Sequence, residues 1–292
     1  GVPDLDGKIN SCEKCGGAVE ADTDTIDTWF SSGQWPYLVL GYPENKDFKS
    51  YYPTDIMETG HDLIFRWVPR MVIFGIYRTG NIPFHTVYLH GLVNDAQGKK
   101  MSKSKGNVIN PLALSEKYGT DALRMGLIVG NTPGTDLALS EEKIRGYKNF
   151  ANKIWNASRF VLSNIENLDP RDAIYADADA KKIEELRRVT KEIEIDMENF
   201  KYYLAAEKIY HYFWHMFADK IIEESKISLM AHNKEERRST QKMLYEILSV
   251  SLKLLHPFMP FVTERIWREL PQASLPAQAG KKLLIIEEWP KA

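Results

Sequence analysis

Residues 99–107 read Lys-Lys-Met-Ser-Lys-Ser-Lys-Gly-Asn, which puts four lysines within seven positions. A lysine-rich run is ordinarily a solvated basic loop, but this order of residues suits phosphate handling. Lys100 and Lys103 offer compact cationic charge, and the small residues Ser102, Ser104 and Gly106 leave the backbone mobile enough to close over a triphosphate. A spelling as specific as that of 100–104 arises by chance in on the order of one in ten thousand chains of this length. Upstream, the run 52–62 delivers Glu58, Gly60 and Asp62 to a loop, where the two carboxylates read either as an ordinary acidic turn or as a binding loop. The run 84–93 ends in His90, Gly91 and Val93. The chain's two cysteines, Cys12 and Cys15, have the spacing of half a tetrahedral zinc site, with a redox or inert pair as the alternative.

These residues need elements to hold them. The β-rich run 84–93 reads as a strand with its exit loop, and 52–62 as a second strand. Ligands of open α/β sheets bind beyond the carboxyl ends of the strands, so 90–93 and the lysine loop should face one crevice. Between 51 and 139 short apolar runs alternate with glycine and proline, the mixture expected of strands and helices together. From Ser140 the pattern changes: Ile144, Tyr147, Phe150, Ile154 and Val161 recur at helical spacing, predicting an amphipathic helix over 140–168. Ser140 is its expected N-cap, with Glu141 and Glu142 in the first turn. Further helices are expected over 178–200, 201–231, 234–255 and 261–270, making an all-α bundle. Asn152, Asn156 and Arg159 fall on one face of the first helix, available to RNA or to a neighbouring domain, whereas Tyr202, Tyr203, Tyr210, Phe213 and Trp214 are expected mostly in the core.

The 292 residues exceed what one core usually organises, which favours two domains. With 38 basic and 40 acidic side chains the chain lacks the general positive field of a nucleic-acid binder, so any RNA contact must be local. No apolar stretch approaches the roughly 20 residues of a membrane helix, and residues 1–7 carry no secretory pattern; a cytoplasmic location is expected.

The run 27–33 (Asp-Thr-Trp-Phe-Ser-Ser-Gly), 58–62 (Glu-Thr-Gly-His-Asp), 87–93 (Val-Tyr-Leu-His-Gly-Leu-Val) and the lysine loop together resemble the class I aminoacyl-tRNA synthetases, in particular the valine-specific branch. The likeness continues through 110–111, 117–124, 149–160 and 256–261 and covers essentially the whole chain. It implies α/β plus all-α architecture: a connective segment with a truncated zinc knuckle (1–27), the second half of a Rossmann catalytic fold with the lysine loop (28–139), an anticodon-binding helical bundle (140–275) and a tail (276–292). It implies ATP with magnesium, valine and tRNA(Val) as partners of a monomeric enzyme, with zinc at Cys12 and Cys15. By the same resemblance Lys100 and Lys103 hold phosphates, Met101, Ser102 and Ser104 line the ATP, Asp62 and Gly60 meet the ribose, His90, Gly91 and Val93 line the adenosine, and Trp29 and Trp67 wall the valine. Judged without the family, either tryptophan is more often a core residue than a ligand wall. The family's His-Ile-Gly-His motif and editing domain are absent here and would precede Gly1, so the chain on its own is expected to be inactive in adenylate formation. An isoleucine-specific relative and a non-catalytic tRNA-binding module are the alternative readings.

Overall fold

The computed structural model describes residues 4, 7–102, 104, 106–165, 174–271 and 283–291. Contacts divide the chain into two compact units, Gly1–Met57 with Asp62–Val87, and Glu58–His61 with Tyr88–Ala292. The change of composition at 140 lies inside the second unit.

In the first unit, helix α1 (Thr28–Ser32) starts at Asp27, whose carboxylate accepts the Trp29 amide, and two short helices follow, α2 (Trp35–Leu38) and α3 (Lys46–Tyr51). Strand β1 (Thr54–Gly60) leads to helix α4 (Val68–Thr79), which Gly80 ends with a left-handed φ of 79°, and then to β2 (Phe84–His90), the last three residues of each strand being counted in the second unit. The two strands are neighbours in a two-stranded sheet. Met57, Val68, Met71 and Phe84 form the small core beneath them. Gly33 lets α1 approach α4, because a β-carbon there would lie 2.6 Å from the Phe74 ring.

In the second unit strand β3 (Val93–Asn94) pairs in parallel with β4 (Leu137–Ala138) in the register Val93 to Leu137. Between them lie α5 (Pro111–Tyr118) and α6 (Thr120–Ile128), seated on Leu114, Ala122, Leu123, Leu139 and Ile144. Helix α7 (Glu141–Asn164) opens with the Ser140 hydroxyl accepting the Lys143 amide, as the sequence predicts. The predicted stretch 166–168 lies outside the described residues. Helices α8 (Asp177–Glu198), α9 (Tyr202–His211), α10 (Ile222–Leu229), α11 (Lys234–Leu255) and α12 (Pro260–Trp267) complete the bundle around Phe150, Ile154, Ile193, Phe217, Ile247 and Leu252, all fully buried.

The helix expected over 201–231 differs in one respect: residues Tyr212–Ile221 between α9 and α10 are π-helical. Wider turns give the crowded rings room. Tyr210, Phe213 and Trp214 all reach Phe150 on α7, with centroid separations of 4.7, 6.1 and 5.9 Å. Of the aromatics expected in the core, Phe213 is fully buried and Tyr202, Tyr203, Tyr210 and Trp214 are half-buried.

Two residues of α6 tie the unit together. The Asp121 carboxylate accepts the Phe261 and Val262 amides at 3.1 and 2.7 Å, capping α12, and Arg124 donates to the carbonyls of Phe258 and Pro257 at 3.2 and 2.8 Å. Burial pushes the Asp121 carboxyl above its ordinary range, with the two amides opposing it. An acid raised on folding contributes stability below its unfolded pKa that is lost as pH climbs through the folded value. Asp121→Ala is expected to cost about 1–2 kcal/mol through the lost cap, and in denaturant melts the wild-type advantage should shrink as pH rises through that raised range.

Candidate functional site

In the second unit three segments converge: Glu58–His61, the stretch after β2, and the turn before β4. Gly91 lies so close to that turn that an added β-carbon would sit 1.6 Å from the Thr135 carbonyl oxygen, so only glycine fits. The Gly134 amide donates to the Leu89 carbonyl at 2.9 Å, and the Leu137 amide to that of Leu92 at 2.8 Å. Asp136 is the common acceptor. Its carboxylate takes the Leu92 amide at 2.9 Å, the Asn94 side-chain amide at 3.3 Å and the His61 imidazole at 2.8 Å. His61 first, and the Leu92 amide next, hold the Asp136 carboxyl below the usual carboxylate range. His90 has Nδ1 on the Gly91 carbonyl at 2.8 Å and Nε2 3.3 Å from the Glu58 carboxylate, so both ring nitrogens face acceptors.

The lysine loop springs from β3 and is fastened at its base. Asp95, 7% exposed, accepts the Lys99 amide at 2.8 Å, the Gln97 amide at 3.0 Å and the Asn107 side-chain amide at 2.7 Å. The Asn107 carbonyl oxygen in turn accepts the Ser102 amide at 2.9 Å. Asn107, followed by the Lys99 amide, lowers the Asp95 carboxyl pKa. The Met101 sulfur receives the Ile109 amide, and the Ser102 and Ser104 hydroxyls lie 3.3 Å apart. The Lys100 side chain projects into solvent and makes no ion pair among the described residues. Lys103 lies outside the described residues. A cation presented on a fastened loop can bind an anion without first breaking an internal salt bridge.

Gly60, His90, Gly91, Val93, Lys100, Met101, Ser102 and Ser104 all belong to the second unit, with Gly60 and Gly91 buried. Asp62, Trp29 and Trp67 belong to the first unit. Asp62 is exposed in a short 3-10 turn, His61–Leu63. Both tryptophans are half-buried, and each has a structural neighbour: the Trp67 indole donates to the Ser32 carbonyl at 2.9 Å and lies 6.2 Å from Trp35, while Arg70 lies over Trp29 at 5.0 Å.

Cys12 and Cys15 occupy a tight hairpin turn, closed by the bridge between Ser11 and Ala18 and by hydrogen bonds from the Cys12 amide to Gly17 and from the Gly16 amide to Cys12, both 2.8 Å. Gly16 takes a φ of 69°. Backbone amides of Lys14 and Cys15 lower the Cys12 thiol pKa, which favours the metal-binding thiolate. Among the described residues no group of three or more His, Cys, Asp or Glu is placed to hold a metal ion. On α7, Asn152, Asn156 and Arg159 are all exposed, with Trp155, 38% exposed, between them.

Sequence reasoning missed the ties that fasten these segments. The Asn-Asp-Ala-Gln-Gly turn at 94–98 carries the signal of an acidic residue bonding its own backbone and could have revealed Asp95. Nothing local marks Asp136, whose partners lie 42–75 residues away in sequence.

Comparison with known proteins gives a consistent result. Residues 5–140 match the family described as tRNA synthetases class I (I, L, M and V), and residues 179–292 match the anticodon-binding domain of tRNA ligase. The valine–tRNA ligases of Pseudothermotoga lettingae and Thermotoga maritima are each 43% identical over 97% of this chain, as is that of Clostridium tetani. The chain spans 32% of the length of each of these relatives. Among solved structures, the LeuRS–tRNA–LeuAMS ternary complex from Agrobacterium radiobacter superposes with a TM-score of 0.71 at 20% identity, over 96% of this chain and 34% of that one. Methionyl-tRNA synthetase of Mycobacterium tuberculosis, in complex with methionyl-adenylate, gives 0.67 at 24%, over 84% and 52%. These two establish the fold.

Asn107→Ala removes the clasp between the two ends of the lysine loop. Hydrogen exchange at the Ser102 amide should rise roughly tenfold, while amides of α7 and α11 keep their protection.

Proposed function

Because this chain belongs to the class I aminoacyl-tRNA synthetases, carrying the second part of their Rossmann catalytic fold followed by a helical anticodon-binding domain, we propose that the protein activates valine with ATP and transfers it to tRNA(Val). The observation that carries the reading is Lys100, exposed and without an ion pair among the described residues, on a loop whose base Asp95 and Asn107 fasten. Identity of 43% to valine–tRNA ligases along nearly the whole chain supports valine over its relatives.

In this reading the valine carboxylate attacks the α-phosphate, and pyrophosphate leaves. No covalent nucleophile is required: catalysis comes from proximity and from cations placed where charge accumulates on the departing oxygens. Lys100 and Lys103 stabilise that charge, and the backbone of Met101, Ser102 and Ser104 follows the phosphates. Gly60, Asp62, His90, Gly91 and Val93 accommodate the nucleoside, Gly91 leaving room for close backbone approach. Trp29 and Trp67 shape the valine pocket, in which one methylene distinguishes isoleucine by about 1–3 kcal/mol. Magnesium bound with the nucleotide would supply charge neutralisation at its phosphates. Asn152, Asn156 and Arg159 form the exposed helical face offered to tRNA. The Cys12–Cys15 turn suits zinc chemically, but two further ligands are needed, and the described residues provide none. Among the described residues no helix is long and apolar enough to cross a membrane; a cytoplasmic location is part of the same proposal.

The test uses the full-length protein carrying this chain. Lys100→Ala together with Lys103→Ala should reduce valine-dependent exchange of pyrophosphate into ATP by about 10²–10³-fold, with affinity for tRNA little changed. Exchange at the wild-type rate in the double variant, or exchange supported by isoleucine and not valine, would overturn the reading.

A further inference from the structure

Helix α8 ends in a turn that conventionally calls for glycine. The Phe200 amide donates to the Met197 carbonyl at 3.1 Å and the Lys201 amide to that of Asp196 at 2.8 Å, the paired bonds of a Schellman turn. The residue between them sits in the left-handed region, where a β-carbon is disfavoured. Here it is Phe200, with φ of 58°, the sole non-glycine residue of positive φ among the described residues. Glycine would close the same turn without strain, so the closure of α8 does not account for a phenylalanine.

Its ring has a destination. Phe200 lies 6.3 Å from Tyr88 and 6.2 Å from Tyr202, and those two tyrosines are 5.6 Å apart, so three rings form a closed triad. Tyr88 is on β2, two residues before His90, and side chains two apart share one face of a strand. Tyr88 is also near enough to Glu58, the partner of His90, for that carboxylate to help raise its phenol pKa, after burial and Tyr202. The 134–136 turn fastens this end of β2 through Leu89 and Gly91, and the aromatic triad supplies a second support, from the helical bundle.

We infer that Phe200 is a positioning residue: through Tyr88 its ring braces the carboxyl end of β2 and sets His90 and Glu58 for the nucleotide. The effect on nucleotide rests on the function proposed above, while the bracing of the strand does not.

Phe200→Gly separates the turn from the ring. In this chain it should leave the thermal midpoint unchanged or raised, yet increase hydrogen exchange at the amides of 88–90 about tenfold. In the full-length protein KM for ATP should rise several-fold with kcat for pyrophosphate exchange within about twofold, and Phe200→Tyr should restore both readings. Tyr88→Leu, which removes the ring from the strand side and leaves the turn intact, should reproduce the pattern even if the glycine variant fails to fold. Wild-type exchange at 88–90 in both Phe200→Gly and Tyr88→Leu would overturn the brace. Faster exchange with unchanged KM for ATP would overturn the positioning role, provided His90→Ala raises that KM. If His90→Ala leaves KM for ATP unchanged as well, the nucleotide reading of His90 falls, and the positioning role with it.

Discussion

The carboxylate of Asp136 is the point on which the candidate site depends. The β3–β4 ladder is two residues long on each side, too short to hold its register alone. Asp136 adds a backbone amide, a side-chain amide and an imidazole from two other segments, and Gly91 lets those segments approach within main-chain contact. Asn94 and Asp95 continue directly from this knot, so the lysine loop inherits its base from it. The depressed pKa keeps Asp136 ionised across the ordinary range, and the stability it contributes is lost only as pH falls through that lowered value.

Elements written in local periodicity were legible. The 3.6-residue recurrence of apolar positions marks α7, α8 and α11, and Ser140 announces its helix start because a hydroxyl can satisfy an amide that the first turn leaves open. The lysine run stood out by spelling alone. What the sequence concealed is long-range satisfaction of polar groups: Asp136, the Asp95–Asn107 clasp and the Asp121 cap each join residues with no shared local pattern. The π-helical stretch was equally hidden, since it answers to rings arriving from another helix. Trp29 and Trp67 illustrate the reverse difficulty, where a role implied by kinship coexists with ordinary packing against Arg70, Ser32 and Trp35.

Polar groups within the bundle divide by burial. The ion pairs of Arg188 with Glu185 and Glu192 lie on the surface and contribute little beyond solvation of that face. Asp179 is 6% exposed and accepts hydroxyls from Ser239 and Thr240 at 2.6 and 3.1 Å, joining the start of α8 to α11. Removing such an acceptor strands two donors away from water, so this interior tie fixes α8 against α11 more firmly than the surface ion pairs could.

The grip of α6 on the turn before α12 spans 134 residues between Arg124 and Phe258. During synthesis Asp121 and Arg124 emerge long before the groups they hold. At roughly 5–20 residues per second, the ribosome needs on the order of ten seconds or more to deliver them. Throughout that interval a carboxylate destined for the interior and a guanidinium without its carbonyls remain hydrated, and α6 has no lid. The nascent protein is thus obliged to postpone closure of this unit until translation has passed α12, a period in which chaperones have access to apolar surface that the closed unit hides.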